Sequence, residues 1–182
     1  MKLKSQILFD EKTIRTQVKR VAEEIARDFG GDDNDLVCVC VLRGAVMFYA
    51  DLMKELTLEN VVYDFVTLQS YESARIDGGT MGTTGVIKLI QELRTNVEGK
   101  NVIVVEDIVD SGYTVEYLRR YFKDKNAKNV RIAALLDKPL GRKVEAKADY
   151  LAFTLERNAF IIGYGLDCDQ KYRNLPGIYE VI

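Results

Sequence analysis

The side chains best suited to chemistry lie close together, between residues 106 and 114. Three acids, two aliphatic hydroxyls and a glycine fall within these nine residues: Glu106, Asp107, Asp110, Ser111, Thr114 and Gly112. Hydroxyls can donate hydrogen bonds to phosphate oxygens, whereas the acids would repel a phosphate and suit a sugar diol or a metal ion. The group therefore predicts a site for a phosphorylated sugar. A solvated acidic turn, with Asp or Ser as a helix cap, is equally compatible with the spacing alone.

A strand and a helix must position this group. Residues 102–105 are all β-branched, which is typical of a strand buried on both faces of a parallel sheet. We expect the charges of Glu106 and Asp107 to end this strand. Apolar residues then recur at the spacing of one helical face, which predicts a helix that runs to about residue 123: Val115, Leu118 and Phe122. Ligands of open α/β sheets bind beyond the carboxyl ends of the strands, and the amides of a helix start attract phosphate.

The stretch Val-Val-Glu-Asp-Ile-Val-Asp-Ser-Gly-Tyr-Thr, residues 104–114, resembles the phosphoribosyl pyrophosphate (PRPP) signature of type I phosphoribosyltransferases. Its form is most similar to the hypoxanthine-guanine branch. The resemblance implies that Glu106 and Asp107 hold the ribose hydroxyls, directly or through Mg²⁺, and that Asp110 is the general acid/base at purine N7. Tyr113 departs from the family, where this position is more often small or basic. The implied PRPP loop is Glu106, Asp107, Ile108, Val109, Asp110, Ser111, Gly112, Tyr113 and Thr114.

A second apolar run, residues 36–42, predicts another buried strand that leads into a helix. Arg43 and Gly44 lie at this junction, where a cation and a glycine suit an anion. An ordinary turn with a solvated arginine is the interpretation that the residues alone favour. The segment nevertheless resembles the pyrophosphate-binding loop of the family, which contains a non-proline cis peptide in relatives.

Residues 69–84 are polar and glycine-rich, and follow a strand predicted at 61–68. We expect a lid there, because long loops inside compact domains are usually functional or disordered; a simple hairpin tip is the alternative. Ser70 and Tyr71 resemble the Ser-Tyr pair of the family's catalytic lid, which excludes water when it closes. A strand at 85–90 would form the second arm of the lid.

The C-terminal third resembles the purine pocket of the family. The resemblance implies that Lys138 donates to the purine O6, that Phe160 stacks on the base and that the Ile161 backbone contacts the purine edge. It further implies that Asp167 helps to hold a second magnesium ion and that Arg173 contacts pyrophosphate. As pure pattern, a solvated lysine, a core phenylalanine and a loop acid are the alternatives.

Composition and pattern predict an α/β protein: an open, mostly parallel twisted sheet flanked by helices, in one domain over residues 1–182. The resemblance to type I phosphoribosyltransferases further implies that the chain ends, the N-terminal few residues and about 138–182, form a small hood. Residues 10–29 predict an amphipathic helix that Asp10 caps and Gly30 ends. We also predict strands at 130–136, 150–155 and 160–162.

The net charge, the absence of histidine and the three cysteines limit the classes of function that the protein can have. A PRPP-sensing, nucleic-acid-binding regulator of the same fold is the alternative to an enzyme. Such a regulator should carry a basic face, and the net charge of −2 gives no global field that would attract nucleic acid. Histidine is absent, which excludes histidine-based catalysis. The three cysteines predict thiols in a reducing compartment, and we expect a cytoplasmic protein without a secretory signal or membrane span. The resemblance implies Mg²⁺ as cofactor, PRPP and a 6-oxopurine as substrates, and a homodimer or homotetramer.

Overall fold

The computed structural model of the protein describes residues 4–72 and 83–182. The strands in these residues are β1 Ser5–Phe9, β2 Leu36–Leu42, β3 Val61–Glu72, β4 Thr83–Gln91, β5 Asn101–Val109, β6 Asn129–Asp137, β7 Tyr150–Thr154, β8 Ile161–Ile162 and β9 Ile178–Val181. The α-helices are α1 Glu11–Phe29, α2 Val46–Glu55 and α3 Tyr113–Asp124, and a 3₁₀ turn spans Pro139–Gly141. In this part of the chain, no helix is both long and apolar enough to cross a membrane.

Six strands form the main sheet in the order β4-β3-β2-β5-β6-β7. Every neighbouring pair is parallel except β3 and β4, which are antiparallel. The predicted fold class, a mostly parallel α/β sheet, is therefore confirmed. A second, antiparallel sheet in the order β1-β9-β8 joins the two ends of the chain, where the hood was predicted. The predicted range of the hood, about 138–182, is too wide, because β7 pairs with β6 in the main sheet.

The central strand β2 shows why the helices lie on both faces of the sheet. Its side chains alternate, and all but the last are buried. Cys38 and Cys40 pack in one apolar cluster with α1 and α2, whereas Val37 and Val39 pack in another with α3. A strand that is apolar on both faces needs cover on both faces, and the amphipathic helices provide it.

Helix α1 begins and ends where the sequence predicts. The Asp10 side chain accepts a hydrogen bond from the Thr13 amide at 2.7 Å, which caps the helix. The Gly30 amide donates to the Ala26 carbonyl and closes the last turn.

Two predicted boundaries are wrong. Strand β5 does not end at Glu106 and Asp107 but continues to Val109, because β6 runs beside it and supplies ladder hydrogen bonds along this length. Residues 69–72 and 83–84, predicted as loop, belong to β3 and β4, which pair antiparallel despite their polar composition. The rest of the predicted lid, residues 73–82, lies outside the described residues.

Candidate active site

The carboxyl ends of β2 and β5 open into a cleft of about 360 Å³. Loops that are distant in sequence meet there: the β2–α2 junction, the end of β5, the start of α3 and the segment that follows β8. Seven of the predicted site residues line this cleft: Arg43, Gly44, Glu106, Asp107, Thr114, Asp167 and Arg173.

Two adjacent carboxylic acids, Glu106 and Asp107, lie in the cleft and differ in their hydrogen bonds. Glu106 is buried, and its Oε2 has no hydrogen-bond partner among the described residues. Burial, and next the charge of Asp107, raise the pKa of Glu106 well above its usual range. Burial also raises the pKa of Asp107, although the Ile108 amide opposes this by donating to Asp107 Oδ1 at 2.7 Å. The site therefore holds two acids whose negative charges the protein does not fully compensate.

Glycines let three segments approach one another at this point. A Cβ on Gly44 would lie 1.5 Å from Asp107 Oδ2, and a Cβ on Gly165 would lie 2.1 Å from the Gly44 carbonyl oxygen. Gly165 also has a positive φ of 97°, a conformation that favours glycine. The peptide bond between Leu42 and Arg43 is cis, as in the loop that the sequence resembles.

A cationic group forms the other side of the cleft. Arg173 donates through Nη1 to the Gly165 carbonyl at 2.7 Å, and its Nη2 lies 2.7 Å from Asp167 Oδ1. Gln170, which sequence reasoning missed, accepts from Arg173 Nη2 at 3.0 Å and from Arg43 Nη1 at 3.3 Å. Both predicted pyrophosphate arginines thus belong to one hydrogen-bonded network.

The start of α3 has free amides. Gly112 is its N-cap residue, with φ of 93°, and no described side chain caps the first turn. The alternative of a turn capped by Asp or Ser is therefore wrong. Ser111, Gly112 and Thr114 lie where a phosphate would meet the helix dipole.

The segment after β6, which sequence reasoning also missed, supports this loop from outside. The amides of Lys143 and Val144 both donate to the Ser111 carbonyl, at 2.9 and 3.2 Å. A Cβ on Gly112 would lie 2.9 Å from the Val144 carbonyl oxygen and 2.8 Å from the Ala146 Cβ. The signal in the sequence was only a basic, polar stretch, which does not reveal a long-range contact.

Asp110 and Lys138 do not line the cleft, although Asp110 belongs to the segment at residues 106–114 and Lys138 contacts that segment. Asp110 is exposed and lies beside Gly141, where a Cβ would come 1.6 Å from its Oδ1. The Lys138 amide donates to the Val109 carbonyl at 2.9 Å, and its Nζ donates to the Ala159 carbonyl at 3.1 Å. The lysine is therefore held between the predicted PRPP loop and the predicted purine segment.

Phe160 and Ile161 differ in exposure. Phe160 is 55% exposed, so the alternative of a core phenylalanine is wrong. Ile161 is buried in β8, where it pairs with Glu180 of β9. Ser70 and Tyr71 lie in β3, but their side chains fall outside the described part of the chain.

The carboxylates fit an Mg²⁺ ion that arrives with a phosphorylated ligand. The described residues contain no cluster of three acidic, cysteine or histidine side chains that could cage a metal alone. Mg²⁺ usually takes one or two protein carboxylates together with waters and phosphates. Glu106, with its unpartnered oxygen, and Asp107 supply that kind of donor set. Asp167 lines the same cleft, but its two oxygens already contact Arg173 and the Gln170 backbone amide.

Comparison with known proteins identifies the family of the chain. A family model described as the phosphoribosyl transferase domain matches residues 5–169. The hypoxanthine-guanine phosphoribosyltransferase of Streptococcus thermophilus (strain CNRZ 1066) is 43% identical over 171 residues, which cover 94% of this chain and 89% of that protein. The chain belongs to the hypoxanthine-guanine phosphoribosyltransferase family.

Solved structures of the hypoxanthine-guanine phosphoribosyltransferase family share this fold. A Bacillus anthracis hypoxanthine-guanine phosphoribosyltransferase, crystallised with a HEPES molecule in its active site, superposes with a TM-score of 0.86 and 39% identity; the match covers 99% of this chain and 98% of that one. A mutant of the Trypanosoma cruzi hypoxanthine phosphoribosyltransferase, complexed with the product IMP, has a TM-score of 0.86 and 37% identity over 99% of this chain and 92% of that one. These relatives are enzymes, which favours the predicted transferase over a nucleic-acid-binding regulator.

Proposed function

We propose that the protein transfers the 5-phosphoribosyl group of PRPP to a 6-oxopurine, hypoxanthine or guanine, and yields IMP or GMP and pyrophosphate. The observation that carries this proposal is one cleft that joins incompletely compensated acids, a pair of arginines and the uncapped start of a helix. PRPP offers a matching set of groups: a diol, a pyrophosphate and a 5-phosphate.

The 5-phosphate would bind at the start of α3. The backbone amides there are free of side-chain caps, and the Ser111 and Thr114 hydroxyls can donate to phosphate oxygens. Glu106 and Asp107 would then face the ribose, whose hydroxyls can donate to the unpartnered carboxylate oxygen.

The pyrophosphate would contact Arg43 and Arg173, with the glycine at 44 allowing close backbone approach. Glu106, Asp107 and Asp167 are the residues that would hold Mg²⁺. When bound, Mg²⁺ would neutralise the charge that develops on the leaving pyrophosphate.

Asp110 would accept or donate the proton at purine N7, since no histidine is available. Its exposed carboxylate lies at the junction between the PRPP loop and the segment that carries Lys138. Lys138 would donate to the purine O6, the Ile161 backbone would contact the base edge and Phe160 would stack on the base. The exposure of Phe160 supports this role, because its ring is free to meet a ligand. The assignment of Ser70 and Tyr71 to a closing lid stays a prediction.

The same proposal includes a cytoplasmic homodimer or homotetramer. All three cysteines are free thiols, which suits a reducing compartment. Apolar side chains on α2 and β3 are exposed, with Tyr63 at 54%, Met47 at 38% and Phe65 at 37%. Such patches are typical of association surfaces, and light scattering of the purified chain will give the assembly.

One assay tests the central proposal. The protein is mixed with PRPP, Mg²⁺ and hypoxanthine, guanine, xanthine or adenine in turn, and nucleotide formation is followed by chromatography. We expect IMP and GMP but little AMP. Salt-dependent binding of RNA or DNA without nucleotide formation would instead support the regulator.

A further inference from the structure

We propose that Gln170 is a positioning residue for the leaving group: its side-chain oxygen holds Arg43 and Arg173 together so that both face the same pyrophosphate. The proposal rests on the proposed function for the identity of the anion. The contact itself joins two residues that are 127 positions apart in the chain, Arg43 and Gln170.

A single oxygen accepts from both arginines. Gln170 Oε1 lies 3.3 Å from Arg43 Nη1 and 3.0 Å from Arg173 Nη2. Two guanidinium groups repel each other, and a shared acceptor with two lone pairs offsets that repulsion without adding a negative charge. An amide therefore suits this position, because it joins the arginines without neutralising the positive charge that Asp167 leaves on the pair.

The backbone around Gln170 is shaped to direct this side chain. Cys168 and Lys171 exchange two backbone hydrogen bonds, at 3.1 and 3.0 Å, and enclose a two-residue turn. Both turn residues have positive φ, 50° at Asp169 and 62° at Gln170, which is the type I′ geometry. Positive φ is uncommon for residues other than glycine, so the turn restricts the backbone of Gln170, and its exposed side chain extends from there to the two arginines.

Asp167 anchors the same turn to Arg173. The backbone amide of Gln170 donates to Asp167 Oδ2 at 2.8 Å, while Asp167 Oδ1 lies 2.7 Å from Arg173 Nη2. The Arg173 Nη1 is fixed on the Gly165 carbonyl. Arg173 is thus held by three groups, whereas Gln170 is the one side-chain partner of Arg43 among the residues that the structure describes. Arg43 should depend most on Gln170.

The consequence is a preorganised anion site. Each guanidinium has five N–H donors, so the contact with Gln170 leaves donors free on both arginines. Without Gln170, PRPP binding would have to order the exposed Arg43 side chain itself. The cost of ordering one long side chain corresponds to about a 3- to 10-fold loss of affinity.

The test compares Gln170→Ala and Gln170→Glu with a matched control, Gln17→Ala. Gln17 also accepts from an arginine, Arg20 Nε at 2.9 Å, but it lies on α1 away from the cleft. We expect Gln170→Ala to raise the KM for PRPP and to weaken inhibition by pyrophosphate by the same factor, about 3- to 10-fold. The kcat and the KM for hypoxanthine should stay within about two-fold. Gln170→Glu keeps an acceptor oxygen but adds a negative charge beside the two arginines, so it should not restore the PRPP affinity. Gln17→Ala should match the wild type.

A second measurement separates this proposal from the function on which it rests. Binding of inorganic pyrophosphate with Mg²⁺, measured by calorimetry, needs no turnover. Equal pyrophosphate affinities for the wild type and Gln170→Ala would overturn the role of Gln170, even if the wild type makes IMP. A fall in kcat with an unchanged KM for PRPP would overturn it as well. Absence of nucleotide with the wild type would instead remove the proposed function. If the alanine variant does not fold, Gln170→Met removes the acceptor at similar length and replaces it in both measurements.

Discussion

The two ends of strand β5 carry buried polar residues in opposite situations. At the amino end, Asn101 is 1% exposed, donates to Asp32 at 2.8 Å and accepts from Asn129 at 2.8 Å. Towards the carboxyl end, three residues before the strand ends, Glu106 is 6% exposed, and one of its oxygens has no partner among the described residues. The buried polar side chain near the amino end therefore has its hydrogen bonds satisfied, whereas the one near the carboxyl end does not.

The carboxylates near the two ends differ in the same way. Asp32 accepts hydrogen bonds from the Lys128 ammonium, the Asn34 amide and the Asn101 side chain, which together hold its pKa well below the usual range. Burial raises the pKa of Glu106 instead. Buried polar groups are normally paired, because an unpaired one costs about 1–3 kcal/mol. The amino end thus serves folding, and the carboxyl end keeps hydrogen-bonding capacity for a ligand.

The largest expected effect is a loss of activity on substitution of Asp110, near the carboxyl end of β5. Substitution of Asp32, near the amino end, should lower stability instead. Asp110→Asn should lower the single-turnover rate by about 10²- to 10⁴-fold, the usual contribution of a general acid/base, and leave the unfolding temperature unchanged because Asp110 is exposed. Asp32→Asn should do the reverse, since it weakens the amino-end network far from the cleft. Rapid-quench kinetics and thermal melts on both variants make the comparison. An unchanged rate in Asp110→Asn would remove its proton-transfer role.

Two glycines give the next test. In Gly44→Ala the new Cβ would lie 1.5 Å from Asp107 Oδ2, so the carboxylate must move. Misplacement of about 1 Å can cost about 10²-fold in rate, and we expect a loss of that order in kcat/KM for PRPP. Gly31→Ala, near the amino ends of the strands, has nothing within 4 Å of its Cβ and is the matched control. Equal activity in both variants would mean that the position of Asp107 has little effect on catalysis.

Strands β2 and β5 show how much of the fold could be predicted from the sequence. Strand β2 has the predicted bounds, Leu36–Leu42, because a wholly apolar run has only one environment that suits it. The predicted end of β5 is wrong, because two adjacent charges such as Glu106 and Asp107 usually mark the end of a buried strand. The hydrogen bonds that extend β5 beyond them come from β6. Local pattern reports what a segment buries, but the extent of a strand depends on its neighbour.

The site divides in a similar manner. Its contiguous part, residues 106–114, could be recognised because a short loop carries several functional types in fixed order. Gln170 and the support of Ser111 by Lys143 and Val144 could not be recognised, because they depend on contacts between segments far apart in sequence. Single polar residues in loops carry little information until the fold brings a partner to them.

A smaller effect is expected on the choice of base. Lys138→Ala should weaken the use of hypoxanthine relative to adenine by one charge-assisted hydrogen bond, about 1.5–3 kcal/mol. Lys100→Ala is the matched control, because its ammonium pairs with Asp35 at 2.7 Å near the amino end of β5. Ratios of kcat/KM for the two bases measure the change. Unaltered discrimination in Lys138→Ala would place this lysine outside the purine pocket.

The smallest expected effect is a change in how stability depends on pH, and it has opposite signs at the two ends. The pKa of Glu106 is raised in the folded state above its ordinary 4.5, so the folded protein binds the extra proton. Stability must then fall as pH rises from about 4.5 through the higher folded pKa, and Glu106→Gln should remove part of that fall. Asp107 should keep the remainder, since its pKa is also raised.

Asp32 behaves in the other direction. Its pKa is lowered below the ordinary 3.8, so its contribution to stability is present above that value and is lost as pH falls below it. Asp32→Asn should therefore flatten the acid side of the profile, whereas Glu106→Gln should flatten the side above 4.5. Thermal unfolding from about pH 3 to about pH 8 measures both slopes. If Glu106→Gln left the profile unchanged, or steepened it above 4.5, the unpartnered carboxylate would already be compensated in the free protein, and the difference between the two ends of β5 would be lost.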